Sequence, residues 1–250
     1  MQSFANQNKI PTLILGNGSN VLISDQGFEG IVIRLKGEFC VYTFSEDIVK
    51  TGAGVPLGGL IQKCLERKLS GLEYLNGIPG TIGGALISNA GTNQHWIGDM
   101  VVDVDVLSDM GHVQVLKKED LKFYYRGSSL ENRIILASTL CLKKAQKNDI
   151  LNTINEITNH RLKSQPLDEW NAGSIFKNPP GQSVGKLIEK AGLKGLKFGG
   201  AKVSEKHANF IVNVGDAKSS DVRSLIGMIK NKVKEMFNIN LELEIKIIGE

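Results

Sequence analysis

The stretch Leu15-Gly16-Asn17-Gly18-Ser19-Asn20-Val21-Leu22-Ile23 places a loop of small and amide side chains between two short apolar runs. Such a loop exposes successive backbone N–H groups, and glycine lets an anion approach the main chain closely. It matches half of a dinucleotide-binding fingerprint, but Val21 stands where the third glycine is required. The run that follows is also a poor start for a helix. The stretch therefore disfavours a doubly wound dinucleotide fold and leaves phosphate binding and a plain turn as alternatives.

Short runs of β-branched residues continue on both sides of this loop and favour strands over helices. The predicted strands cover residues 12–15, 21–23, 31–35, 39–44, 48–50, 101–107, 113–115 and 134–142. One helix is predicted between Pro56 and Lys68, where the apolar residues that share a face are Leu60, Ile61, Cys64 and Leu65. The first half is therefore expected to be rich in β-structure.

The second half changes character near residue 148. Asp149 is predicted to cap a helix that ends before Pro166 and has an apolar stripe of Ile150, Leu151, Ile154, Ile157 and Leu162. A short helix is predicted around Leu187, and a longer one from near Ser220. A last strand, 241–248, alternates with period two, and its polar face carries Glu242, Glu244 and Lys246. The pattern predicts an α+β protein with a boundary near residues 143–150.

Composition narrows the function classes. The chain has 250 residues, 41% hydrophobic and 22% charged, with a net charge of +4 and three cysteines. The basic residues are spread along the chain, which argues against nucleic acid as a partner. No apolar run approaches the ~20 residues of a membrane-spanning helix. The cysteines are few and widely spaced, so neither a disulfide framework nor a metal site is indicated. We expect a soluble, cytoplasmic protein with no membrane partner.

A second glycine cluster, Asn76-Gly77-Ile78-Pro79-Gly80-Thr81-Ile82-Gly83-Gly84-Ala85, is followed by Ser88-Asn89-Ala90-Gly91. So many glycines are costly to order, because glycine loses the most backbone entropy on folding. Contact with a phosphate or a flavin is one interpretation, and two tight turns at the rim of a sheet are the other.

Six motifs in order along the chain carry a resemblance to a known family. They are LGNGSNVL at 15–22, GIPGTIGG at 77–84, YRGS at 125–128, AGSIFKNP at 172–179, VSEKHANF at 203–210 and LELEIK at 241–246. Together they resemble the UDP-N-acetylenolpyruvoylglucosamine reductases (MurB), in the shorter form that lacks a tyrosine loop over the substrate. The resemblance implies an FAD-binding domain of the vanillyl-alcohol-oxidase type joined to an αβ substrate-binding domain. It places the FAD-binding domain at 1–146, the substrate-binding domain at 147–239 and a returning C-terminal strand at 240–250.

The resemblance also implies the cofactors. FAD would be bound non-covalently, with NADPH as the hydride donor, and a sugar nucleotide of peptidoglycan synthesis would be the substrate. The residues expected to bind FAD are Gly16, Asn17, Gly18, Ser19, Asn20, Gly77, Ile78, Pro79, Gly80, Thr81, Gly83, Gly84, Asn89 and Gly91. Members of the family usually carry a further strand–helix segment before the strand at Thr12, and only eleven residues precede it here. We therefore expect this chain to bind FAD more weakly than a form with that segment.

The implied reaction adds a hydride to an enol ether that carries a carboxylate, so it needs a cation at the carboxylate and a proton donor at the developing carbanion. The resemblance assigns the first role to Arg126 and the second to Ser174, and it places Glu244 at the carboxylate end, with Glu242 as the competing choice. From the residues alone, a surface arginine is the favoured interpretation of Arg126, and a turn or helix cap is the favoured interpretation of Ser174. Lys177, Asn178 and His207 are expected to contact the uridine diphosphate, although His207 is also explained as a core or loop histidine.

Two other functions remain open at this stage. An alcohol or hydroxy-acid oxidase on the same flavin scaffold would need a base on the substrate side, and no motif for one is present. A protein that binds a flavin or a sugar nucleotide without catalysis is the second alternative. The oligomeric state is not indicated by the sequence.

Overall fold

The computed structural model describes residues 2–92, 94–108 and 110–249. The chain forms two compact units. The first comprises Met1–Gly18 and Gly30–Asn159, and the second comprises Ser19–Glu29 and His160–Glu250. Each unit has its own hydrophobic core.

The helices are α1 (Gln2–Gln7), α2 (Leu57–Glu66), α3 (Ile82–Ser88), α4 (Lys147–Ser164), α5 (Val184–Lys190) and α6 (Ser219–Phe237). Short 3₁₀ turns lie at Gly37–Cys40, Glu73–Leu75, Ile97–Asp99 and Lys118–Asp120. The strands are β1 (Thr12–Ile14), β2 (Val21–Ile23), β3 (Ile31–Ile33), β4 (Tyr42–Ser45), β5 (Ile48–Gly52), β6 (Leu69–Ser70), β7 (Val101–Leu107), β8 (Val113–Lys117), β9 (Phe123–Tyr124), β10 (Gly127–Ser128), β11 (Ile134–Cys141), β12 (Lys143–Lys144), β13 (Asn171–Ser174), β14 (Lys197–Phe198), β15 (Ala201–Val203), β16 (Phe210–Asn213) and β17 (Lys246–Ile248).

The first unit is built on an antiparallel five-stranded sheet with the order β4-β5-β11-β7-β8. Strands β1 and β3 form a separate parallel pair, and β9 and β10 form a hairpin. Helix α2 packs its apolar face into the core because Leu57, Leu60, Ile61, Cys64 and Leu65 recur at helical spacing and are all buried. This unit contains the second glycine cluster and the first glycine loop as far as Gly18.

The second unit contains an antiparallel four-stranded sheet with the order β13-β16-β15-β14. Helix α6 buries Leu225, Ile226, Ile229 and Val233 in the core of this unit. Strand β2, from the segment 19–29, pairs in parallel with the C-terminal strand β17. The segment after the first glycine loop is therefore part of the second unit.

Several predicted elements are confirmed. Helix α2 and strands β2 and β7 lie where the periodicity places them, and Pro166 follows the end of α4 by two residues. The long helix near Ser220 begins one residue earlier, at Ser219.

The strand predicted at 39–44 is wrong in its first part. Residues Gly37–Cys40 form a 3₁₀ turn, and only Tyr42–Ser45 is a strand. The carbonyl of Phe39 accepts a hydrogen bond from Gly54 N–H at 2.9 Å, and a Cβ on Gly52 would lie 2.1 Å from that oxygen. Two glycines distant in sequence therefore let the turn press against the sheet.

Two further expectations need correction. The glycine cluster at 76–85 is not a loop throughout, since helix α3 begins at Ile82 and includes Gly83 and Gly84. Helix α4 begins at Lys147 rather than being capped by Asp149, and Leu151 and Leu162 are 38% and 54% exposed. The buried residues of α4 are Ile150 and Ile154, which pack on the core of the first unit.

The last strand is shorter than predicted. Only Lys246–Ile248 is a strand, although burial still alternates before it, with Leu241 and Ile245 buried and Glu242 exposed.

The compact units divide the chain after Asn159, whereas the predicted domain limits lie after residues 146 and 239. The second unit takes in residues 19–29 because β2 finds its backbone partners in β17.

Candidate active site

A cleft in the first unit brings the two glycine clusters together. Its lining includes Leu15, Gly16 and Asn17 from the first cluster and Thr81, Gly83 and Gly84 from the second. The side chain of Asn17 donates to the carbonyl of Pro79 at 3.1 Å, which ties the first loop to the second. The two clusters, 60 residues apart in sequence, therefore form one surface.

Glycine is required at two points of this cleft. A Cβ on Gly16 would lie 2.8 Å from Oγ1 of Thr81, too close for the loops to keep their places. A Cβ on Gly83 would lie 3.1 Å from that of Ala53. At Gly84, by contrast, a Cβ would meet only Thr81 Oγ1, at 3.7 Å. Gly84 therefore leaves space in the cleft that the rest of the protein does not fill.

The backbone donors of the second cluster are largely taken up within the protein. The N–H groups of Ile82 and Gly83 donate to the carbonyls of Val55 and Ala53 at 2.9 and 2.8 Å. The N–H of Gly84 donates to the Thr81 hydroxyl, which caps helix α3, at 3.4 Å. Gly83 and Gly84 therefore contribute space to the cleft rather than donors.

The first loop differs in this respect. Among the residues that the structure describes, no protein acceptor is placed for the N–H groups of Gly16, Asn17 and Gly18. The cleft is also lined by three basic residues, Arg34, Lys36 and Arg133, which sequence reasoning did not select. Arg34 and Arg133 directly adjoin strands β3 and β11, and Lys36 precedes the 3₁₀ turn at Gly37–Cys40. Free amides, nearby cations and a surface without side chains suit a pyrophosphate, so the residues present fit FAD.

Arg126 lies at the turn of the hairpin formed by β9 and β10. Its φ is 55°, in the left-handed region that non-glycine residues rarely adopt. Its Nη1 donates to the carbonyl of Gly91 at 3.3 Å, and its guanidinium lies 5.5 Å from the ring centre of Tyr125. A residue held in such a conformation is a candidate for a functional role.

Asn89 and Gly91 hold this hairpin. The buried side chain of Asn89 donates to the carbonyl of Tyr124 at 3.1 Å and accepts from Gly98 N–H at 3.1 Å. Gly91 supplies the carbonyl that Arg126 contacts. The structure thus brings together three residues that sequence reasoning had assigned to two different roles.

Lys118 adds a further support on the other side of Gly98. Its ammonium donates to the carbonyl of Gly98 and lies 4.5 Å from the ring centre of Phe123 in β9. Burial lowers the pKa of this lysine from its ordinary value. Sequence reasoning had no signal for this contact.

Ser174 ends strand β13 in the second unit and is half-buried. It pairs with Phe210 of β16, and Asn171 pairs with Val212, but the register is irregular between the two pairs. Gly173 has a φ of 82° and donates to the side chain of Asn171 at 2.9 Å. The positive φ of residue 173 favours glycine, which is the residue that the AGSIFKNP motif has before Ser174.

The segment that carries Glu244 runs beside the one that carries Ser174. Glu244 N–H donates to the carbonyl of Ile175 at 2.8 Å, and Phe176 forms an isolated antiparallel bridge with Leu243. The side chain of Asn20 donates to the carbonyl of Glu244 at 3.1 Å. The segments that carry Ser174, Glu244 and Asn20 therefore lie side by side in the second unit. Arg126, by contrast, belongs to the first unit.

The two candidate glutamates differ in their surroundings. The side chain of Glu242 is 79% exposed and lies 3.8 Å from the ammonium of Lys177. Glu244 is half-buried. An exposed pair of this kind is worth little to stability. The difference in burial favours Glu244 over Glu242 as the functional carboxylate.

The three residues expected to bind the uridine diphosphate lie in the second unit. Lys177 follows the buried pair of Ile175 and Phe176. Oδ1 of Asn178 accepts from the N–H of Val184, the first residue of α5, at 3.0 Å. Nδ1 of His207 accepts from Asn209 N–H at 3.1 Å. Each of the last two therefore has a structural contact of its own.

His207 is packed against the start of helix α5, where a Cβ on Gly185 would lie 3.0 Å from the imidazole. Burial lowers the pKa of this histidine from its ordinary value. The neutral ring accepts at Nδ1, so its proton lies on Nε2. This arrangement supports the interpretation of His207 as a loop histidine with structural contacts of its own.

Two general features of the described residues, 2–92, 94–108 and 110–249, concern membranes and metal ions. No helix formed by the described residues is long and apolar enough to cross a membrane. Within those ranges, no group of three or more histidine, cysteine or acidic side chains is placed to hold a metal ion.

Comparisons with known proteins identify the family of the chain. Residues 165–248 match the family model described as UDP-N-acetylenolpyruvoylglucosamine reductase, C-terminal domain, and residues 2–117 match the one described as FAD binding domain. The UDP-N-acetylenolpyruvoylglucosamine reductase of Caldanaerobacter subterraneus subsp. tengcongensis is 42% identical over 250 residues, which cover 99% of this chain and 82% of that protein. The reductase of Listeria monocytogenes serotype 4a is also 42% identical, over 99% of this chain and 84% of its own length.

A solved structure supports the same conclusion. The crystal structure of UDP-N-acetylenolpyruvylglucosamine reductase (MurB) from Thermus caldophilus has a TM-score of 0.86 and 41% sequence identity, and covers 100% of this chain and 90% of that chain. The expected α+β fold with an FAD-binding domain is confirmed. The chain therefore belongs to the UDP-N-acetylenolpyruvoylglucosamine reductase family of FAD-dependent oxidoreductases.

Proposed function

We propose that this chain reduces UDP-N-acetylenolpyruvoylglucosamine to UDP-N-acetylmuramate in peptidoglycan precursor synthesis, with NADPH as the reductant and the cytoplasm as the compartment. The observation that carries the proposal is the pairing of the segments of Ser174 and Glu244, joined at 2.8 Å between Glu244 N–H and the Ile175 carbonyl. A proton donor and a carboxylate on neighbouring segments suit a reaction that places charge next to a carboxylate group.

The first unit would hold FAD in its cleft. The amides of Gly16, Asn17 and Gly18 have no protein acceptor among the described residues and would donate to the pyrophosphate. Gly84 would give the cofactor its space, and the cations of Arg34, Lys36 and Arg133 would balance the phosphate charge. Bound FAD would supply the hydride that is added to the enol ether.

The remaining residues of the predicted FAD-binding set differ in their surroundings. Ile78 packs against the core and Pro79 holds Asn17, so both would position the loops. Ser19 and Asn20 lie in the segment of the second unit that pairs with the C-terminal strand. The other members of the predicted set are Gly77, Gly80, Thr81, Gly83, Asn89 and Gly91.

The charge that develops during the reaction would be met by side chains of this chain. Arg126 would bind the substrate carboxylate, because a guanidinium stays charged and can donate two parallel hydrogen bonds. Ser174 would donate the proton to the developing carbanion. Glu244 would act at the carboxylate end of the substrate. Lys177, Asn178 and His207 would contact the uridine diphosphate.

Ser174→Ala tests the assignment of the proton donor. We expect reduction of FAD by NADPH to remain near the wild-type rate, because that step needs no proton for the substrate. Reoxidation by the enolpyruvyl sugar nucleotide should slow by roughly 10²–10⁴-fold, the usual contribution of a positioned general acid. Stopped-flow absorbance of the flavin measures both half-reactions separately.

Ser174→Cys provides the matched comparison. A thiol donates a proton from nearly the same place, so part of the reoxidation rate should return. If Ser174→Ala instead lowers stability and leaves both half-reactions unchanged in the folded protein, Ser174 is a structural residue and the assignment is wrong.

A further inference from the structure

The side-chain amide of Asn209 is buried directly beside the segment that follows Ser174. Only 4% of Asn209 is exposed. Its Oδ1 accepts from Phe176 N–H at 3.0 Å, and its Nδ2 donates to the Phe176 carbonyl at 2.8 Å. Its main-chain carbonyl accepts from Ile175 N–H at 2.9 Å. One residue thus binds three main-chain groups of the two residues after Ser174.

The strand before Ser174 does not fix the serine's position in the same way. The register of β13 against β16 is irregular between Asn171 and Ser174, and Gly173 lies at a φ of 82°. Residues in an irregular stretch lack regular ladder partners, so such a stretch can be used to re-aim a side chain. The position of Ser174 is therefore set by its pairing with Phe210 of β16 and, on its C-terminal side, by the contacts of Asn209.

The same contacts reach the segment of Glu244. The carbonyl of Ile175 accepts from Glu244 N–H at 2.8 Å, and Phe176 bridges to Leu243. By holding Ile175 and Phe176, Asn209 supports both candidate functional residues of the second unit. Its own N–H donates to Nδ1 of His207 at 3.1 Å.

We propose that Asn209 is a positioning residue that holds the Ser174 hydroxyl where it can protonate the substrate. This inference rests on the proposed role of Ser174 as the proton donor. The amide suits the task because it accepts and donates through one planar group, which matches the N–H and the carbonyl of a single residue.

Asn209→Asp tests the proposal with little change in size. The carboxylate still accepts from Phe176 N–H, but it has no proton to donate to the Phe176 carbonyl. We expect flavin reoxidation by the enolpyruvyl sugar nucleotide to slow by roughly 10- to 100-fold, the scale of a misplaced catalytic group. Reduction of FAD by NADPH and the dissociation constant of the substrate should change by about twofold or less.

The pH profile of this variant gives a second readout. Protonation restores a donor to the substituted carboxyl, so the variant-to-wild-type ratio of reoxidation rates should recover as the pH falls. Burial raises the pKa of a carboxyl, so recovery should begin well above the ordinary aspartate value of ~3.9. A residue that supports stability alone would not show recovery of this ratio in the folded protein. A reduced ratio that does not change with pH would overturn the proposal. A variant that reoxidises at the wild-type rate at every pH would overturn it as well.

Asn213→Asp is the matched control, since it makes the same exchange at the last residue of β16, the strand that Asn209 directly precedes. Oδ1 of Asn213 accepts from the N–H groups of Gly215 and Ala217 at 3.0 and 3.2 Å, which a carboxylate also does. Both half-reactions should remain at the wild-type rates. If Asn209→Asp does not fold, Asn209→Ser takes its place, because its shorter hydroxyl does not span both groups of Phe176. Failure of both to fold assigns Asn209 to stability alone and overturns the proposal.

A double variant separates this inference from the proposed function. If Asn209 acts through Ser174, then Ser174→Ala with Asn209→Asp should reoxidise no more slowly than Ser174→Ala alone. If the two substitutions instead slow reoxidation by the product of their separate factors, the inference is wrong and Ser174 remains the proposed proton donor. A Ser174→Ala enzyme with the wild-type reoxidation rate would instead refute the proposed proton donor, whatever Asn209→Asp does.

Discussion

At the scale of single residues, the cleft of the first unit depends on positions that carry no side chain. Gly16 and Gly83 are required by contacts within the protein, since a Cβ on either would approach Thr81 or Ala53 closely. Gly84 is different, because a Cβ there has room in the protein and would project into the cleft. A substitution at Gly84 therefore tests whether a ligand binds in the cleft.

Gly84→Val should fold but lose FAD affinity by about tenfold or more, which is ~1.4 kcal/mol or more of binding free energy. Gly59→Val is the control: Gly59 is the third residue of α2, as Gly84 is of α3, and a Cβ on it would meet nothing within 4 Å. Fluorescence titration of FAD compares the two variants. Equal affinity of Gly84→Val and the wild type would place FAD elsewhere.

Arg126 allows a test of binding against catalysis. Arg126→Lys keeps the charge but loses the planar fork, so it should lower kcat by roughly 10²–10³-fold and change KM less. Steady-state kinetics measures both constants, with Arg67→Lys as a control at an arginine that lies 4.5 Å from the ring centre of Phe44. A raised KM with an unchanged kcat would assign Arg126 to binding of the ground state.

At the scale of elements, the segment 19–29 is attached to the rest of the second unit through β2 and through Asp25. Strand β2 pairs with β17, and Asp25 receives hydrogen bonds from the main chain and hydroxyl of Ser219 at 2.8 and 2.9 Å. The carboxylate thereby binds the N-terminus of α6, where negative charge is favourable. These hydrogen bonds lower the pKa of Asp25 from its ordinary value of 3.8.

Asp25→Asn should destabilise the protein at neutral pH, because the lowered pKa means that the folded state favours the ionised form. This stabilisation is fully present above the ordinary pKa of 3.8 and is lost as the pH falls through the lower folded value. Denaturant unfolding of wild type and variant at several pH values should show a difference that shrinks in acid. Glu29→Gln is the control in the same segment, and a difference that does not vary with pH would contradict the assignment.

The elements also show which sequence patterns were sufficient. The apolar face of α2 was correctly predicted because its residues recur at helical spacing and all of them meet the core. Helix α4 follows the same rule only in part, since Leu151 and Leu162 are exposed. Periodicity reports which residues share a face, but it does not report how much of that face a neighbour covers.

At the scale of the whole molecule, FAD should stabilise the fold by mass action. A ligand that binds only the folded state at 100 times its dissociation constant adds about 2.7 kcal/mol to the free energy of unfolding. Thermal unfolding followed by circular dichroism should therefore show a midpoint that rises with FAD concentration. Gly84→Val should weaken this dependence and Gly59→Val should not. A midpoint that does not respond to FAD would contradict the proposed binding cleft.

The sequence by itself determined the local elements with strong periodicity, the two glycine clusters and the motifs that resemble the reductase family. These are properties of neighbouring residues, such as apolar spacing or the absence of side chains, and they can be identified without knowing the fold. The positions of Ser174 and Arg126 were selected in the same way. Their roles remain proposals.

Only the tertiary structure decided which groups are left for a ligand and which are taken up within the protein. The amides of Ile82 and Gly83 donate to residues of a different segment, while those of Gly16 to Gly18 do not find a protein acceptor among the described residues. Asn20 binds Glu244 and Asp25 binds Ser219 across separations of 224 and 194 residues. Hydrogen bonds between segments so far apart leave no local pattern, because each partner is supplied by the path of the chain rather than by its neighbours.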